Sequence, residues 1–392
     1  MKYIYYFSIA FLILSSCDIT EKKSVNDVFE NYYQESLKLY PLDATSQGDL
    51  RYNDFLPNSL SDEFRNQEKE FYYNYKNLIN KYDDKLLTEE DLLSKKILLW
   101  ECNRNLERLD FNEHLTPINQ FWTLQLTMGQ LAAGMSSQPF NTYDDYTNWI
   151  KRIDDYIIWL TTAINRMSQG IESGYVLPKT LILKVLPQLK AITNSNLEEN
   201  IFYSPVNLFP SNFTEAEKTI LKNEYENMIL NKIIPTYETL YDFMKDTYLP
   251  NGRDSSGISS LDSGLNYYDY SIRLYTTTNM TADEIHQLGL DEVRRLLSEM
   301  ESVKSKVGFK GNLKSFFDHV RQKDELIPFD KPEEVIDNFN KIHQKMMPMV
   351  NSLFELQPKT PFEVRRTESF REKSASAEYS PGSLDGTRPG IF

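Results

Sequence analysis

A hydroxyl followed three residues later by an acid, just ahead of apolar residues spaced by three and four, recurs along this chain and commits most of it to helix. The pattern stands at Thr88 with Asp91, Thr142 with Asp145, Thr214 with Glu217 and Thr281 with Glu284. In each pair the hydroxyl accepts from the third helical amide and the acid reaches back to the cap's own amide. Two donors that a helix start leaves without partners are thereby satisfied together. Asp330 with Glu333, and Pro332 in the first turn, is a variant of the same device. Met280 and Ile285 flank Thr281 as a hydrophobic staple.

Downstream of these starts the apolar residues keep helical spacing, as in Ile285, Leu288, Val293, Leu296, Leu297 and Met300, or Val335, Ile336, Phe339, Ile342 and Met346. Core-facing stripes explain both runs. The spacing predicts helices over about 25–40, 62–81, 89–109, 118–135, 143–172, 179–194, 215–247, 282–306, 311–323 and 332–354. Pro187, Pro235 and Pro348 fall inside these patterns and should each kink or split a helix. Extended runs are few: Tyr270–Thr278, Phe362–Arg366 and Ser376–Tyr379. The expected fold class is mainly α, a multi-helix array with at most a small β element.

One stretch interrupts the array, the serine- and glycine-rich "LPNGRDSSGISSLDSGLNYYDY" of Leu249–Tyr270. It reads either as a linker between two helical regions, 25–248 and 271–392, or as a loop crossing a cleft with Tyr267 and Tyr268. No internal repeat of fixed period supports a helical solenoid.

The first residues read "MKYIYYFSIAFLILSSC": a lone cation at Lys2, an apolar run from Ile4 to Leu14, then small residues. That run is shorter than the roughly 20 residues a membrane span needs, and it has the pattern of an export signal rather than of a short anchor. Leu14, Ser15, Ser16 and Cys17 look like a bacterial lipobox. Residues 1–16 would be removed by cleavage between Ser16 and Cys17, the Cys17 thiol would take a diacylglycerol, and residues 17–24 would serve as a tether. The expected place is the bacterial cell envelope, with the membrane as a partner through the lipid. Loss of Lys2 takes the formal charge from −14 to −15. Nucleic acid, which rewards basic clusters, is not an expected partner.

With Cys17 lipidated, Cys102 is the one cysteine left, so a disulfide framework and a cysteine-rich zinc site are both excluded. Cys102 lies in a helical run and reads as a buried bystander. The four histidines, His114, His286, His319 and His343, include no pair four apart, so the helical zinc motif is missing. There is no phosphate-cradling glycine loop and no G-x-S-x-G. The acidic pairs at 144–145, 154–155 and 333–334 sit adjacent on helices and point in different directions, as solvated faces do. Residue types and spacing alone name no catalytic group.

Four stretches, in order, carry a resemblance: "GIESGYVLPK" (170–179), Ser263–Met300, "LQPKTPFEVRRTE" (356–368) and "SAEYSPGSLDGTRPGIF" (376–392). Together they resemble the bacterial domain-of-unknown-function 885 proteins, which are similar to helical zinc metallopeptidases. The resemblance implies lipid-anchored peptide hydrolysis for the complete family member, with zinc as cofactor. In the family the segment resembling Tyr379–Phe392 is followed by a helix bearing His-Glu-x-x-Pro-Gly-His, whose residues would bind zinc and activate water. This sequence contains no such motif, so no catalytic residue is carried over, no cofactor is expected in this chain, and the second helical region is expected to be incomplete.

Tyr379, Asp385 and Arg388 match family positions just upstream of the metal helix. Tyr379 and Arg388 are the candidate substrate-cleft residues, a phenol for a polarised carbonyl and a guanidinium for a peptide carboxylate. Asp385 beside Gly386 fits a tight turn better. The expectation is the N-terminal portion of a metallopeptidase-like lipoprotein, inactive as it stands, with an exposed apolar patch on helices 282–306 and 332–354. The competing reading is a non-catalytic helical lipoprotein that binds glycans through its many tyrosines.

Overall fold

The structure is a computed structural model that describes residues 24–121, 123–134, 136–326, 328–367 and 377–392. The leader, the lipobox and Cys17 lie outside the described residues. The chain is predominantly α-helical. Helices α1 (Val25–Leu39), α2 (Pro41–Gln47), α3 (Asp62–Ile79) and α4 (Glu89–Arg108) come first, followed by α5 (Leu124–Ala132), α6 (Tyr143–Ser173) and α7 (Lys179–Ile192). A long rod then runs through α8 (Glu215–Met228), α9 (Ile234–Asp242) and α10 (Leu249–Asn251). The last helices are α11 (Gly264–Thr276), α12 (Ala282–Lys306), α13 (Leu313–Arg321) and α14 (Pro332–Leu353). Strands β1 (Phe362–Glu363) and β2 (Gly390–Ile391) pair in parallel, Phe362 opposite Gly390. Among the described residues no helix is long and apolar enough to cross a membrane.

The expected helix starts form as written. Thr142, Thr214 and Thr281 make complete capping boxes, as does Ser24 with Asp27. Thr88 accepts from the Asp91 amide. At α14 the device shifts by one residue: Lys331 is the cap, and Glu334 rather than Glu333 reaches back, to the Asp330 amide at 2.9 Å.

Helix α6 carries the core. Tyr146, Trp149, Ile153, Tyr156, Leu160, Ala163 and Met167 share one buried stripe, packed against α8, α9 and the 201–208 turn. Its fully buried Arg152 sits on that same stripe. A second, smaller core joins α1, α3 and α4 around Tyr72, Ile79 and Cys102. Burial pushes the Cys102 thiol up to about 12, so it stays protonated and inert.

Proline behaves in two ways. Pro187 and Pro348 lie inside α7 and α14 without splitting either helix. Pro235 opens α9 directly after a π-helical turn, Ile229–Ile233, and Pro250 follows another, Phe243–Tyr248. The wider turn removes the clash between the ring and the carbonyl four residues back.

Several expectations need correction. Residues 270–278 are not extended, since α11 runs to Thr276. Tyr267, Tyr270 and Arg273, three apart, bond Glu113, the Arg104 carbonyl and Glu107, so docking onto α4 overrides the local strand preference. The helix expected over 118–135 begins only at Leu124. Asn119 forms a turn with the Phe121 amide, and its carbonyl takes Thr123 and Gln125. The third concerns 376–379: Ser376 lies outside the described residues, 377–379 forms no strand, and the pairing falls on Ser380, which bridges Ile391.

The stripes of α12 and α14 are not core. Val293, Leu297, Val303, Ile342, Met346 and Met349 are all exposed, and α12 buries no residue at all. The expected apolar patch is there.

Candidate functional site

A cleft of about 1130 Å³ lies where three parts of the chain converge. One wall, on α5, α7 and the turn before α5, sets Gln120, Thr123, Thr127, Gln130 and Gln188 among the apolar Phe121, Leu126 and Leu131. The facing wall is the apolar first half of α14, with Val335, Ile336 and Phe339. The closing segment, 377–392, carries Tyr379 and Arg388 into it. Both candidate residues therefore line one cleft.

The first wall is tied together by Gln188, whose Nε2 donates to the Gln120 carbonyl at 3.0 Å. That bond, to the main chain of Gln120, fixes the Gln188 amide, yet Gln120 Oε1, Gln188 Oε1 and Ser136 Oγ are buried without a hydrogen-bond partner among the described residues. Acceptors of this kind are costly to leave unpaired, so water or ligand donors are favoured here.

The closing segment is held by α2. Gly48, the α2 C-cap, is at φ +87°, and a Cβ there would stand 2.6 Å from Ser383 Cβ, so glycine is required twice over. Across that close approach the Leu384 amide donates to the Gln47 carbonyl at 2.8 Å. Buried Ser383 accepts from the Arg388 amide at 2.9 Å.

Arg388 donates through Nη1 to the Pro381 carbonyl at 2.9 Å and through Nη2 to the Ser46 carbonyl. Two of its five N–H groups are engaged, both by neutral oxygens. Burial lowers its pKa from the ordinary arginine value, with Asp385 opposing. The Asp385 carboxylate is bound within its own turn, to the Ser383 hydroxyl and to the amide and hydroxyl of Thr387. The Ser383 bond in particular holds it below the usual range. Asp385 is a turn residue.

Tyr379 is 58% exposed. Its ring lies 6.3 Å from Phe362, which in turn meets His343 at 4.9 Å. A Cβ at Gly390 would sit 2.7 Å from the Tyr379 hydroxyl, so only glycine in β2 lets the phenol lie there. That hydroxyl makes no hydrogen bond among the described residues.

From below, α2 is held by Arg152, which reading by residue type passed over. Its guanidinium bonds Thr45 Oγ1 (3.0 Å), Gln138 Oε1 (2.7 Å) and the carbonyls of Tyr52 (2.6 Å) and Phe55 (3.2 Å). A cation on an otherwise apolar helix stripe was the signal available for it. Gln120, Gln188, Arg365 and Arg366 also line the cleft, and no sequence pattern distinguished them.

Residues 41–392 match the DUF885 family, bacterial proteins of unknown function. The chain belongs to the DUF885 family. The match starts well before the first of the four resembling stretches, so α2 and Gly48 are within it. This DUF885 protein also shares its fold with the solved structure of a candidate lipoprotein from Colwellia psychrerythraea, at TM-score 0.83 and 18% identity. The alignment covers 94% of this chain and 66% of that one, so the chain spans about two thirds of the other's length. None of the curated proteins matches the sequence.

Among the described residues of this DUF885 protein no three His, Cys, Asp or Glu side chains are grouped to hold a metal ion.

Proposed function

We propose that the chain is the exported, lipid-anchored scaffold of a metallopeptidase-like protein, and that its own contribution is to hold an extended peptide in the cleft between α5 and α14. Cys17 would carry the lipid, and the cleft would stand in the envelope, facing peptides there. The observation that carries this reading is that one wall of the cavity offers side-chain amides and hydroxyls between apolar residues while the facing wall on α14 is apolar. A peptide main chain offers N–H groups to the first and side chains to the second. Tyr379, whose hydroxyl has no partner among the described residues, would donate a hydrogen bond to a peptide carbonyl. Hydrolysis is what the resemblance to zinc metallopeptidases implies for the complete family member, and the proposal for the described residues concerns binding.

Calorimetric titration with short apolar peptides and, separately, with oligosaccharides tests the reading. Saturable peptide binding that weakens on Tyr379→Phe supports it. Sugar binding with no response to any peptide would replace it by the glycan reading.

A further inference from the structure

The charge around the cleft runs against that of the whole molecule. The protein carries −14, yet the charged side chains lining the cleft, among the described residues, are Arg365, Arg366 and Arg388 against Glu378 alone. Arg365 is neutralised by Glu363, two positions earlier, through Nε at 2.8 Å and Nη2 at 2.6 Å. Arg366 stands 4.0 Å from Glu333 on the first turn of α14. Arg388 differs from both, because among the described residues it meets no carboxylate at ion-pair distance. The carbonyls of Pro381 and Ser46 satisfy two N–H groups but cancel no charge, and Asp385, whose Oδ1 accepts from Ser383 and Thr387, acts on Arg388 only through space. A half-buried guanidinium hydrogen-bonded to neutral oxygens, with Asp385 beyond ion-pair distance, gains more from an anion than an exposed one does.

We propose that the cleft selects a carboxylate-bearing ligand and seats that carboxylate beside Arg388, with the ligand's apolar body against Val335 and Phe339. The inference rests on the peptide-binding reading and deepens it: the carboxylate is either the C-terminus of a peptide or an acidic side chain within one. The three N–H groups of Arg388 that have no partner among the described residues make the contact without releasing α2.

Three peptides of one apolar sequence decide the matter by calorimetry with the intact protein: the free C-terminal acid, the C-terminal amide, and the amide with one internal glutamate. The account expects at least one carboxylate form to bind about tenfold or more tighter than the plain amide, with the gap narrowing as salt is raised. Preference for the free acid identifies a C-terminus; preference for the internal glutamate identifies a side chain. Equal affinity for all three overturns the inference and leaves the peptide reading standing, while no binding by any of them overturns both. Arg388→Gln should abolish the preference. Because Arg388 also ties the closing segment, Arg388→Lys is the control: it keeps the charge, loses the fork, and should keep the preference. A preference that survives Arg388→Gln would sink the assignment.

Discussion

Arg388 donates a hydrogen bond to the main-chain carbonyl of Ser46, 342 positions earlier in the chain. The next residue back, Thr45, is held from the other side by Arg152. The last turn of α2 is thus gripped by two arginines, one buried in the core and one at the head of the cleft. This grip positions the closing segment, and with it Tyr379.

Replacing Gly48 by alanine should cost about 1–3 kcal/mol, since the new Cβ meets Ser383 and the φ of +87° is unfavourable for any L side chain. Urea unfolding measures it. An unchanged midpoint would mean that α2 and the closing segment do not touch in solution.

Arg152→Met should destabilise by about 3 kcal/mol or more, because the carbonyls of Tyr52 and Phe55 and the Gln138 amide oxygen lose their donor inside the core. The readout is the thermal midpoint. A change of a few tenths would show that these acceptors find water instead.

The fold was legible in the sequence wherever local chemistry decides it. Capping hydroxyls and acids at Thr142, Thr214 and Thr281 fixed helix starts to the residue, because the cap is satisfied within four positions of itself. It was illegible where distant contacts win. Tyr267, Tyr270 and Arg273 turn an apparently extended run into α11 by bonding α4 and Glu113 just beyond it, some 150 positions or more away. The cleft shows the same division. Tyr379 and Arg388 stood out by resemblance, whereas Gln120 and Gln188 are brought together only by the packing of α7 on the turn before α5.

His114 gives the stability a pH dependence of known sign. Its pKa is lowered to about 4, chiefly by burial and then by Arg65 and Arg166. The unfolded chain takes up that proton near pH 6.5 and the folded one only near 4, so stability is fullest above 6.5 and falls as pH drops toward 4. After allowance for partial exposure the loss is about 1–2 kcal/mol. The difference between the protein and His114→Gln, followed by urea unfolding from neutral to acid pH, should show it. A flat difference would contradict the assignment.

The exposed stripes of α12 and α14 predict that acidic substitutions there are nearly free. Val293→Glu and Met346→Glu should each change stability by no more than about 0.5 kcal/mol, while lowering the fluorescence of a dye that binds apolar surface. A loss of several kcal/mol would mean that these faces are covered.

Lipidation at Cys17 is a separate expectation. Cys17→Ala should abolish metabolic incorporation of labelled palmitate and move the protein out of the detergent phase, and persistent labelling would place the anchor elsewhere.

The central claim is that ligand occupies the cleft between α5, α14 and the closing segment. Photo-crosslinking with a benzophenone-bearing apolar peptide, followed by mass spectrometric mapping, tests it most directly. The account predicts adducts within 120–130, 335–339 and 379–392, competed by unlabelled peptide; adducts confined to the exposed face of α12, or none that unlabelled peptide competes, would contradict it.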